Sequence, residues 1–185
     1  MNMRKFMLFI VAVSIGVTAM SRQPSRGYRG FADFLWSRYS WNVDGLDWYE
    51  NHYGVSTVHG YQFIPQFYLG AGLEVAKNSF ADSWYIPVFA DFRTDWKFGR
   101  FTPFADVRVG YTLSDDGGFR FQPMVGHRFS WGRKVGVNLG IGLTLQNYKY
   151  YDGTTDIDPD GGYIVYSRTS RKNIVGFSLR LGIDF

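Results

Sequence analysis

From residue 175 to residue 185 every second side chain is large and apolar (Val175, Phe177, Leu179, Leu181, Ile183, Phe185), while Gly176, Ser178, Arg180, Gly182 and Asp184 between them are small or polar. A period of two marks a strand whose faces meet different surroundings. The same alternation recurs seven times upstream, over residues 27–37, 53–63, 67–77, 83–96, 103–113, 119–131 and 135–146. It is cleanest in the last of these. There Val135, Val137, Leu139, Ile141, Leu143 and Leu145 share one face, and Gly136, Asn138, Gly140, Gly142, Thr144 and Gln146 share the other.

Eight strands are therefore expected, and their connections fall into two kinds. "IPQ", "KFGRFT" and "GRK", after the second, fourth and sixth strands, are short. "RYSWNVDGLDWYENH" after the first and "NYKYYDGTTDIDPDGGYIVYSRTSRK" after the seventh are long loops, with "NSFAD" and "SDDGG" on the same side. An even strand number, with short turns at one end and longer loops at the other, predicts an all-β fold: an eight-stranded antiparallel up-and-down transmembrane β-barrel. A strand of about 11 residues at ~3.3 Å each, tilted by ~40°, rises roughly 28 Å and so crosses an apolar band ~25 Å tall. Aromatic residues gather at both strand ends. Phe63, Phe67, Trp96, Phe98, Phe101, Phe129, Trp131 and Phe185 lie near the short turns, and Trp36, Tyr39, Trp41, Trp84, Tyr111 and Tyr148 near the long loops. Such rings sit best at the two membrane interfaces. Four positions strain the pattern. His59 and His127 fall in the lipid-facing phase, and Pro87 and Pro123 each remove a ladder donor, which suggests bulges that would shift the phase.

The one long uninterrupted apolar run, "FMLFIVAVSIGVTAM" at 6–20, follows Arg4 and Lys5. It is shorter than the ~20 residues of a spanning helix and has the layout of a secretory signal peptide. Residues 1–19 are expected to be that signal, and 20–185 the barrel. Removing Arg4 and Lys5 lowers the formal charge from +4 to +2, with 18 basic residues against 16 acidic. The signs are mixed along the chain, so nothing here favours a nucleic-acid partner. With no cysteine there is neither a disulfide framework nor an acylated cysteine anchor.

The stretches "GYRGFADF", "STVHGYQF" and "PVFADFR", with the alternation that ends at Phe185, resemble the small eight-stranded outer-membrane barrels of Gram-negative bacteria, of the kind of the outer-membrane protein A transmembrane domain and protein X. The resemblance covers the whole mature chain. It implies a location in the cell outer membrane. It also implies that the barrel-insertion machinery reads Phe177, Leu179, Leu181, Ile183 and Phe185 as an assembly signal, and it implies little about activity.

The inner phase carries the acids Asp33, Glu74, Asp91 and Asp106 and the bases Arg93, Arg108, Arg120, Arg128 and Arg180. Eight strands leave an interior just wide enough for side chains to fill, so a network of mutually neutralising pairs is expected rather than a charged conduit. A catalytic hydroxyl must reach a histidine nitrogen. His52 falls in a long loop, His59 on the second strand and His127 on the sixth, and no serine follows either strand histidine on its own face. No catalytic residues are assigned, and a non-enzymatic outer-membrane barrel with a plugged interior, serving envelope structure or surface-loop binding, is expected; the alternatives are an outer-membrane lipid-modifying enzyme and a soluble lipocalin-like periplasmic carrier. Asp156, Asp158 and Asp160 begin a calcium-loop pattern, but its twelfth position is Ser167 rather than a bidentate Glu, and an acidic turn is the simpler reading. No cofactor is expected. The Trp- and Tyr-rich loops suit a surface ligand. A monomer surrounded by outer-membrane lipid completes the expectation.

Overall fold

The computed structural model describes residues 26–43, 46–79, 82–98, 102–114, 117–131, 135–157 and 163–185. Residues 1–19, expected to be a signal peptide, and the calcium candidates Asp158 and Asp160 lie outside the described residues; of Asp156 only the backbone is described, opposite Ile164.

Eight strands follow one another: β1 Gly27–Val43, β2 Leu46–Ile64, β3 Phe67–Asn78, β4 Trp84–Asp95, β5 Pro103–Leu113, β6 Phe119–Trp131, β7 Val135–Ile157 and β8 Tyr163–Asp184. Each pairs antiparallel with its neighbour in the chain, and β8 closes on β1 from Phe31↔Asp184 to Ser40↔Val175. Closure leaves no open edge within this belt.

Two stretches read as long loops are strand instead. β1 and β2 run on to a pair at Val43↔Leu46, and β7 and β8 to Ile157↔Tyr163. β7 has 23 residues against 11 in β5, so the β7–β8 hairpin stands roughly 30 Å beyond the shorter strands at the usual rise and tilt.

The alternation becomes a sharp division between faces. On β7, Leu139 and Ile141 on the outside are 52% and 48% exposed, while Asn138, Thr144 and Gln146 on the inside are buried. The prolines do not shift it. Val88↔Leu73 and Tyr85↔Ala76 keep one register across Pro87, and Phe121↔Leu145 and Met124↔Gly142 keep one across Pro123. Each proline keeps its pairing on the other side, with Thr112 and Val107, so only one side of the ladder loses bonds. The register shift that does occur lies between Gln62 and Ile64, at the β2–β3 turn.

Large inward side chains sit opposite glycines. Phe89 lies between Gly72 and Gly110, Phe104 faces Gly126, Met124 faces Gly142, Tyr39 faces Gly176 and Asp33 faces Gly182. A Cβ on Gly72 would come within 2.9 Å of the Phe89 ring, and one on Gly142 within 2.7 Å of Met124 Cγ. Phe31, Val58, Tyr68 and Phe89 form an apolar cluster inside the barrel. Tyr39, expected in the outer girdle, is part of the interior and fully buried. Phe185 exchanges both backbone hydrogen bonds with Gly30, at 2.9 and 3.0 Å. Its ring is 5% exposed rather than open to lipid, because Gly30 leaves a bare backbone seat: a Cβ there would lie 2.5 Å from Phe185 Cε2.

Candidate functional site: the charged interior and an outer hydroxyl–imidazole trio

Because inward positions alternate on every strand, the closed sheet brings polar side chains from all eight strands into one lumen. Among the described residues the buried charged groups are seven carboxylates (Asp33, Glu50, Glu74, Asp91, Asp95, Asp106, Asp184) and six arginines (Arg29, Arg93, Arg108, Arg120, Arg128, Arg180), with His52. An isolated buried ion is very costly, so the arrangement is one of pairs.

Near the short-turn end, Arg29 bridges Asp95 and Asp184 and donates to Gln62 at 2.9 Å. Arg93 donates to Asp95 at 2.9 Å and to Asn138 at 2.7 Å, and Arg128 Nε to Asp184 at 2.9 Å. The Arg93 guanidinium also lies 3.7 Å from the Phe104 ring centre and 4.8 Å from that of Phe31, so its faces meet aromatic rings while its edges meet acceptors.

In the middle, Arg108 joins Asp33, Asp91 at 3.3 Å and Ser56 at 3.2 Å, and its guanidinium lies 4.8 Å from the Phe89 ring centre. Arg180 pairs with Asp106. Towards the long hairpins Arg120 pairs with Glu74 at 3.1 Å, and a hydroxyl chain runs from Gln122 through Thr144 and Ser178 to Ser37, each step 2.7 Å. Beside it His52 is held between Glu50 at 2.7 Å and the Tyr85 hydroxyl. His52 thus belongs to the interior end of β2, not to a loop.

The nine charged residues singled out from the sequence all lie in this lumen, joined by the five not singled out: Arg29, Glu50, Asp95, Asp184 and His52. Period-two phase already placed Arg29 and Asp184 with them. Asp95, within 83–96, shares the phase of Asp91 and Arg93 and was placed with them too, whereas Glu50 and His52 were hidden by the misread loop. Fixed in this way, the groups hold charge in place, while Glu74 Oε2, Asp91 Oδ1, Asp106 Oδ1, Arg120 Nη2, Arg128 Nη2 and Arg180 Nη1 are buried without a hydrogen-bond partner.

The other two histidines point outward. His127 accepts from the Thr102 amide at 3.2 Å and lies against Phe129, with ring centres 4.5 Å apart. His59 Nε2 is 2.9 Å from Thr57 Oγ1, and its Nδ1 is 2.5 Å from the Tyr28 hydroxyl, with the two rings stacked. The sequence reading sought a serine on the histidine's own face and so passed over Thr57, two residues earlier on that face. The backbone amides around Thr57 belong to ladders with Ala32 and Leu73, so no free pair of donors is provided there for an oxyanion.

No family model matches the chain, and no curated protein matches it in sequence. Among solved structures it is similar to Neisserial surface protein A, NspA, with a TM-score of 0.55 and 15% identity over 87% of this chain and 98% of that one. Two autotransporter barrels also align, the translocator domain of NalP from Neisseria meningitidis (12% identity, all of this chain and 95% of that one, TM-score 0.29) and the β-domain of Bordetella BrkA (11%, 88% and 99%, TM-score 0.27). At these last two scores the superpositions carry no argument. The fold is that of the eight-stranded, all-antiparallel closed barrel shared with NspA.

Proposed function

We propose that the chain is a monomeric, non-enzymatic integral protein of the outer membrane with a lumen closed to solutes. Its work is to contribute to envelope structure or to present its long hairpins to a surface ligand. The observation that carries this reading is the inverted polarity of the barrel. Leucine, valine, isoleucine and phenylalanine cover the outside as a continuous belt, and arginine–carboxylate pairs fill the inside. An apolar surface of that extent is stable only against an apolar solvent, and backbone groups in lipid require a closed barrel. A lipocalin-like carrier needs the opposite phase, with its apolar residues around the ligand. A lipid-modifying enzyme would need more than the Thr57–His59 pair, beside which no oxyanion donors stand.

The NspA likeness supports the membrane assignment through fold alone. Short turns then face the periplasm, and the β1–β2 and β7–β8 hairpins face outward. The insertion machinery is the partner proposed for the β8 alternation that ends at Phe185. Membrane fractionation followed by electrophoresis with and without heating tests the reading. The expected result is a membrane-bound protein that migrates differently before boiling; a soluble protein of one mobility overturns it. In planar bilayers the closed lumen gives no stable conductance of porin size, and large reproducible channels would refute the closure.

A further inference from the structure

On the outer face of the barrel, where every neighbouring side chain on β1, β2 and β3 is apolar or aromatic, Tyr28, His59 and Thr57 form a row of three hydrogen-bonding groups. Tyr28 is opposite Tyr61, Gly30 opposite His59 and Ala32 opposite Thr57, so the row climbs from the short-turn end by successive outward positions. Tyr28 is 37% exposed, and Thr57 and His59 are half-buried. A hydrogen count shows what such a row lacks. The phenol, the neutral imidazole and the alcohol bring one polar hydrogen each, and the chain Tyr28–His59–Thr57 uses two. If Tyr28 donates to Nδ1, then Nε2–H donates to Thr57 and the Thr57 hydrogen is left over. If Thr57 donates to Nε2, then Nδ1–H donates to Tyr28 and the phenol hydrogen is left over. In either tautomer one O–H on this outer face is left without an acceptor among the described residues.

The depth of the row narrows the acceptor. Tyr61, Phe63 and Phe67 form a contiguous aromatic patch beside the β2–β3 turn, with ring centres 5.1 and 6.0 Å apart. Aromatic patches of this kind mark the headgroup level. His59 is one outward position above Tyr61, so the hydroxyls lie at the edge of the hydrocarbon, where water is scarce and acyl ester carbonyls are the abundant acceptors. Beside His59 the row continues through Ala71 and Ala90, with Leu69, Leu73, Val88 and Phe92 on either side. The two alanines leave a low strip between these larger side chains, along which an acyl chain can lie. We infer that Tyr28, His59 and Thr57 are a binding site for the ester carbonyl of a glycerophospholipid in the leaflet at the short-turn end, with its chain along Ala71 and Ala90. The inference rests on the membrane reading above.

The test compares two phosphatidylcholines with the same chains, one a diester and one a diether, which differ only in the carbonyl oxygens. The folded barrel in detergent micelles is titrated with each, and bound lipid is counted by native mass spectrometry. The diester is expected to be retained roughly two- to tenfold better, the net worth of one hydrogen bond. The variant Tyr28→Phe/Thr57→Val/His59→Leu, which removes all three hydrogens, is expected to bind both lipids equally. Equal retention by the wild-type barrel overturns the site, and so does an ester preference that survives in the triple variant. Failure of the wild-type chain to give a heat-modifiable barrel in lipid vesicles would remove the membrane reading itself, and the site with it.

Discussion

Arg108 is the group on which a closed interior can be told from a hydrated one. It stands between Asp33 and Asp91, reaches Ser56, and is almost wholly buried. Replacing it by Leu keeps the bulk beside Phe89 but leaves two carboxylates without their cation. Breaking one buried pair from one side costs about 3–5 kcal/mol, and here one change breaks two pairs, so the upper end is expected. In a water-filled conduit the same pair would be worth only about 0–1 kcal/mol. Urea unfolding of the barrel in short-chain phosphatidylcholine vesicles, followed by the unheated gel band and by tryptophan fluorescence, measures the difference. With slopes of ~1–3 kcal/mol per molar urea, the Arg108→Leu midpoint falls by more than about 1 M. Arg108→Leu/Asp33→Asn/Asp91→Asn, which removes the charges together, returns to within about 2 kcal/mol of the wild type, since a buried ion pair contributes little net stability over a neutral replacement. A single variant within ~1 kcal/mol of wild type, or a triple variant as unstable as the single, refutes the reasoning.

Other consequences can be checked in the same assay. Gly110→Ala places its Cβ against the Val88 carbonyl and 2.7 Å from Phe89 Cβ, and is expected to cost about 1–3 kcal/mol; Gly140→Ala, whose nearest neighbour would be 3.4 Å away, stays within ~1 kcal/mol, and equal effects would contradict the packing described. Ile141→Arg, on the outer face of β7 opposite Leu179, costs about 2–4 kcal/mol in lipid, and a neutral result would mean that this face does not meet hydrocarbon. Phe185→Asp lowers the heat-modifiable fraction assembled in cells further than it lowers unassisted refolding into lipid vesicles, where only the loss of its buried ring, roughly 2 kcal/mol, is felt; equal losses in the two settings would reduce Phe185 to a packing residue.

What the sequence made legible follows where each strand lies relative to lipid. β5 and β6 have the bounds that alternation predicts, because the two-residue period runs through them from end to end. The far halves of β7 and β8 were lost. There "NYKYYDGTTDI" carries no alternation of apolar and polar positions, so the period of two that marks the rest of β7 is missing. Asp44-Gly45 between the paired Val43 and Leu46 is the strongest short hairpin signal available, and reading it would have recovered the upper β1–β2 hairpin with Glu50 and His52. Phase placed the charged interior but not its apolar members. Phe31, Leu35, Val58, Phe89, Phe104 and Met124 break the rule of polar residues inside; for Phe89, Phe104 and Met124 the reason is that the space above a glycine has to be filled and a long apolar side chain from the next strand fills it.

Those glycine seats decide something that alternation leaves open. Sliding one strand past its neighbour by two residues keeps every inward residue inward and every outward one outward, and lipid accepts leucine, valine or phenylalanine with little preference. Inside the lumen the slip is forbidden. Phe89 moved by one pair would confront Arg108 or Thr112 in place of Gly110, and Met124 would confront Thr144 or a second glycine that Phe104 already overlies. The bulky residues act as keys, each cut for one glycine on the adjoining strand, and a closed barrel needs all of the locks to turn at once. The stagger of the cylinder, and with it its girth, is therefore written in matched pairs of a large and a vanishing side chain. Two chains of this shape can drift apart in almost every residue and still close alike, provided that each key moves together with its lock.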